Sequence, residues 1–68
     1  MTLGNILSMI SDIDKISIHA NSGYVLFDGV KMDLDEPVKK LIIRDHLEDP
    51  VDQIRAYQDF IIILLGEK

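Results

Sequence analysis

Apolar residues open the chain at the i, i+3, i+4, i+7 spacing of one helical stripe: Leu3, Ile6, Leu7, Ile10 and Ile13, with Ser8, Ser11 and Asp12 opposite. Thr2 is suited to cap this segment, and the pattern predicts a helix over about 3–12. The period then drops to two. Ile16, Ile18 and Ala20 alternate with Lys15, Ser17 and His19, which places the apolar set on one face of a strand. Asn21-Ser22-Gly23 has the composition of a three-residue hairpin connection into Tyr24-Val25-Leu26-Phe27. Asp28-Gly29 is a type I′ turn signal, followed by Val30, Met32 and Leu34 alternating with Lys31 and Asp33. Residues 15–34 therefore read as a three-stranded meander.

Asp35, Glu36 and Pro37 have the character of a helix start, and Val38, Leu41 and Ile42 supply a stripe for a helix over about 36–46, although Leu41-Ile42-Ile43 also suits a strand. Asp49-Pro50 ends whatever precedes it, because the residue before proline avoids the α region. Two templates fit residues 50–65. As one long C-terminal helix, the segment carries Val51, Ile54, Tyr57, Ile61 and Leu64 on a stripe, but its last turns are apolar on every side. As a hairpin, Ile54 and Ala56 alternate with Arg55 and Tyr57, Gln58-Asp59 reverses the chain, and Phe60 to Leu65 form a strand rich in β-branched residues. The hairpin is preferred. Its last strand is expected to be central and buried on both faces, with the helices on one side and another copy of the chain, or a partner, on the other. The expected fold class is α+β: a small, mostly antiparallel sheet of a meander plus a C-terminal hairpin, packed with one or two short helices.

Composition narrows the picture. Sixty-eight residues make one domain, near the lower limit for a core without disulfides or metal, and with two Phe, two Tyr and no Trp that core must be aliphatic. The absence of cysteine excludes a disulfide framework and a thiolate zinc site, and fits a reducing compartment. The opening residues lack the early positive charge of a secretory signal, and the longest apolar run, Phe60 to Leu65, is far short of the roughly 20 residues that span a bilayer. A cytoplasmic protein without a membrane anchor is expected. Twelve acidic against seven basic side chains give a net charge of −5, which repels a phosphate backbone and argues against direct nucleic-acid binding.

Candidate chemistry is sparse. His19 belongs to the polar face of its strand and is expected to face solvent. His46, in Arg44-Asp45-His46-Leu47-Glu48-Asp49, has acids close by but no third or fourth ligand in reach along the chain, so it reads as a helix-end histidine. Asp33-Leu34-Asp35-Glu36 lacks the spacing and distal glutamate of a calcium loop. Ser22 has no glycine before it and so makes no nucleophile elbow, and the four glycines form no phosphate cradle. The expectation is no enzyme, no cofactor and no metal.

The order of elements, from Met1-Thr2-Leu3 through Leu26-Phe27-Asp28-Gly29 to Ile54-Arg55-Ala56-Tyr57-Gln58-Asp59-Phe60-Ile61-Ile62-Ile63-Leu64, resembles short uncharacterised proteins of phages and prophages of Gram-positive bacteria. The resemblance implies a mobile-element origin and no biochemical activity; occlusion of a host protein is an analogy to some small acidic phage proteins. On this reading the chain is a small acidic protein-binding module, expected to be a homodimer. Its contact residues are the apolar Phe60, Ile62 and Leu64 and the acidic Asp33, Asp35, Glu36, Glu48 and Asp49. The alternative is a nucleotide-like small-ligand binder with its site at a dimer seam, drawing on Lys31, Lys39, Lys40, Arg44 and Arg55, of which Lys39, Lys40 and Arg44 are expected to share a helix face.

Overall fold

The computed structural model describes residues 1–67. In chain order the elements are α1 (Leu3–Leu7), β1 (Lys15–His19), β2 (Val25–Val30), a 3-10 helix (Lys31–Asp35), α2 (Pro37–Arg44), β3 (Val51–Ala56) and β4 (Ile61–Leu65). The α+β class holds. The four strands form one mixed sheet in the order β2-β1-β4-β3. Two antiparallel hairpins, β1–β2 and β3–β4, are joined by a parallel seam between β1 and β4, so the sheet is not a meander followed by a separate hairpin.

The expected third strand is missing for a reason visible in the register. β2 runs straight through Asp28-Gly29, which pair with Ser17 and Ile16, and its ladder with β1 ends at Lys15↔Val30. Beyond that point the chain leaves the sheet. The N–H groups of Lys31 and Met32 donate to the carbonyls of Asp14 and Asp12, and residues 31–35 coil into the 3-10 helix. Gly29 is a strand residue with φ +154°, and a Cβ there would lie 3.5 Å from the tip of the Phe27 ring. That distance is ordinary contact, so what calls for glycine here is the dihedral, which side-chain-bearing residues rarely adopt.

Residues 50–65 form the hairpin and not the long helix. The N–H of Tyr57 donates to the Phe60 carbonyl at 2.8 Å, closing the reversal around Gln58-Asp59. No described residue other than glycine has positive φ, so this short turn forms without the type I′ geometry that favours glycine. The Tyr57 and Phe60 rings stack across it, with centroids 4.8 Å apart.

α1 is shorter than its stripe. It ends at Leu7, where the Ser8 hydroxyl donates to the Asn5 carbonyl and the Asp14 carboxylate accepts from the Ser11 N–H, giving the backbone alternatives to a longer helix. Its start is capped as expected: the Thr2 hydroxyl accepts from the Asn5 N–H while the Asn5 side chain accepts from the Thr2 N–H. Leu3, Ile6 and Leu7 are buried, whereas Ile13 is exposed. Ile16, Ile18, Phe27, Ile43, Ile63 and Leu65 complete the core, which lies between the helices and one face of the sheet.

β4 is central, as expected, but its two faces differ. Ile63 and Leu65 are buried in the core; Ile62 and Leu64, which alternate with them, are half-buried on the face that no helix covers. Phe60 lies outside the strand and is exposed.

Candidate functional site

α2 departs most from the sequence expectation. Val38, Leu41 and Ile42 lie at the i, i+3, i+4 spacing of one stripe, yet all three are exposed, at 70%, 53% and 43%. The helix docks instead through buried Ile43 and through Lys39, whose ammonium lies 5.5 Å from the centre of the Phe27 ring and 3.5 Å from the Glu36 carboxylate. Acidic side chains bracket the exposed stripe, with Asp35 and Glu36 exposed before the helix and Asp45 and Glu48 exposed after it. The geometry is an apolar ridge little more than one turn long, on a helix of about two turns, with carboxylates at both ends.

Of the other expected contact residues, Asp33 is half-buried in the 3-10 helix. Asp49 is buried and turned inward to His46, so it does not share the acidic surface with Glu48. Phe60 stands at the hairpin tip, while Ile62 and Leu64 occupy the open sheet face beside Ser17, His19, Gln53 and Arg55. The structure thus divides the expected set between two regions: the acids around α2, and the apolar residues on the C-terminal hairpin. His19 is not a free solvent-facing side chain, because it is half-buried and hydrogen-bonded to the Ser17 hydroxyl at 2.8 Å.

A cleft of about 340 Å³ opens between α1, the 3-10 helix and α2. Its apolar lining is Leu7, Leu34, Ile43 and Leu47, and its polar lining is Ser8, Asp12, Asp35, Lys31, Lys40 and Arg44. Three of the five cations singled out in the sequence meet here. Lys39 is turned away to Phe27 and Arg55 is on β3, so the expected shared face of Lys39, Lys40 and Arg44 reduces to the last two. The cleft floor escapes sequence reading because its residues come from four separate segments. The one local signal is the i, i+4 spacing of Lys40 and Arg44.

A second, shallower depression is lined by Ala20, Asn21, Ser22, His46, Asp49, Gly66 and Glu67. The His46–Asp49 pair has the form of an oriented base, and among the described residues no hydrogen bond links Ser22 to His46. No group of three or more histidine or carboxylate side chains suited to a metal ion converges among the described residues. No helix of the described residues is long and apolar enough to cross a membrane, which leaves strand-built spans unaddressed.

The chain matches no protein-family model, no curated protein and no solved structure.

Proposed function

We propose that the chain is a small protein-binding module without catalytic activity, acting in the cytoplasm, that docks the exposed ridge of α2 into an apolar groove rimmed by basic residues on a partner protein. The supporting observation is the orientation of α2: an amphipathic helix has turned Val38, Leu41 and Ile42 away from its own core. Three aliphatic side chains held in water by a folded chain of this size mark a contact surface. The carboxylates of Asp35, Glu36, Asp45 and Glu48 set the charge of the complementary rim, and they repel nucleic acid. The mode is a helix laid in a groove, with specificity from the charged ends. An occluding role accords with the resemblance to small phage proteins.

The test is affinity capture from a lysate of the natural host, comparing the wild type with three variants. Partner binding is expected to disappear with Leu41→Ser/Ile42→Ser and to weaken with Glu36→Lys/Glu48→Lys or raised salt. It should survive Met9→Ser, which alters an exposed apolar residue elsewhere. Retention of the same proteins by the double-serine variant overturns the proposal.

A second reading, self-association, is favoured by Ile62 and Leu64 on the uncovered sheet face. It expects a dimeric mass by light scattering at micromolar concentration, reduced to the monomer by Ile62→Asp. A monomeric wild type rejects it.

A further inference from the structure

We propose that the cleft between α1, the 3-10 helix and α2 is a binding site for a small amphiphilic monoanion, an aliphatic body ending in a carboxylate. The size is adequate, since ligand pockets occupy roughly 300–1,000 Å³ and this one holds about 340 Å³. The floor sets the body of the ligand. Leu34 and Leu47 are half-buried and gain from covering by another apolar group, while buried Leu7 and Ile43 form the base beneath it.

The rim sets the head group. Lys31 is already held, its ammonium 3.0 Å from the Asp12 carboxylate. Lys40 and Arg44 are four residues apart on the cleft side of α2, and neither has an ion-pair partner among the described residues. Three cations against the carboxylates of Asp12 and Asp35 leave one positive charge in surplus. That balance fits a single carboxylate, bound between an ammonium and a guanidinium. It does not fit a di- or triphosphate, which would bring several negative charges to a chain whose net charge is already −5 and to a cleft without a glycine-rich cradle. The site lies within one chain, not at a seam between two. It is also separate from the docking ridge, because Val38, Leu41 and Ile42 do not line it.

Titration of the full, isotopically labelled chain with decanoate, kept below its micelle concentration and followed by amide chemical shifts, tests the assignment. Saturable shifts are expected around Leu7, Ser8, Leu34, Ile43 and Leu47. Lys40→Gln and Arg44→Gln, both changes of exposed side chains, should each weaken binding roughly five- to tenfold, with the remaining spectrum unchanged. Decanol should bind more weakly than decanoate, and acetate should leave the floor residues unshifted. Leu41→Ser/Ile42→Ser should bind decanoate as the wild type does, even if partner capture is lost, which keeps the two proposals separable. The absence of saturable shifts at millimolar decanoate, shifts centred on residues 38, 41 and 42, equal affinity for decanol, or unchanged affinity in the Lys40→Gln/Arg44→Gln double variant would each overturn it.

Discussion

His46 and Asp49 are joined across the turn that follows α2, with Nδ1 of the imidazole 2.8 Å from Oδ2 of a carboxylate that is only 7% exposed. With the carboxylate ionised, and so only able to accept, Nδ1–H is the donor of this bond. The same turn presents the carbonyls of Leu47 and Asp49 to the N–H groups of Gly4 and Leu3, so the start of α1 is bound to the end of the α2 segment. His46→Ala removes a donor from a buried acid. We expect a loss of about 1–3 kcal/mol in urea unfolding, with His46→Asn recovering part of it because an amide N–H can donate. An unchanged midpoint for His46→Ala would show that the bond has no structural role.

Gly29→Ala should also destabilise, by about 1–3 kcal/mol, since an alanine would be strained at φ +154°, while its methyl would meet the Phe27 ring only at ordinary contact distance. A thermal midpoint equal to that of the wild type would mean that β2 relaxes freely at this point. Asp28→Asn separates the strand from the hairpin turn that the same dipeptide suggests. A type I′ turn there would be strengthened by asparagine at its first central position. In the observed strand the exchange of an exposed side chain should be neutral, within roughly 0.5 kcal/mol.

The orientation of α2 can be read from stability alone. Leu41→Ser/Ile42→Ser should change the unfolding free energy by less than about 1 kcal/mol, whereas Ile43→Ala, at a site 5% exposed, should cost about 2–4 kcal/mol. If the double variant were the more damaging of the two, the ridge would be part of the core and the docking surface would vanish.

At the hairpin tip, Tyr57→Ser removes one ring of the stack that covers a reversal without glycine. The expected cost is about 0.5–1.5 kcal/mol, checked by denaturant titration against the neighbouring Gln58→Ser as a neutral reference. Equal effects from the two would show that the stack contributes nothing to turn closure.

These elements also mark where local pattern is sufficient. β1 and the C-terminal hairpin are legible because alternation and a β-branched run are properties of neighbouring residues, and the rejection of a long helix follows from its apolar last turns. Thr2 is legible as a cap for the same reason. The third strand is not, because Asp28-Gly29 satisfies a turn rule that the pairing of Ile16 with Gly29 overrides. The stripe of α1 overstates its length, continuing to Ile13 while the Ser8 and Asp14 side chains engage the backbone first. The amphipathicity of α2 is plain, but periodicity names a face without saying which way it points. Asp35, Glu36 and Glu48 are exposed around that helix, while the buried position of Asp49 depends on His46 and on the fold around it. The cleft has no sequence signature beyond Lys40 and Arg44.

The parallel seam at the centre of the sheet has a kinetic consequence. Ile16 and Ile61 are neighbours although 45 positions separate them, whereas each hairpin joins strands only a few residues apart. The two hairpins are therefore the elements that can nucleate early, and the slow event is the search that brings them side by side, since closing the long loop precedes any gain from the contacts. Ile18 and Ile63, which meet across that seam, are the residues at which truncation to alanine would distinguish assembly of the halves from formation of either half alone.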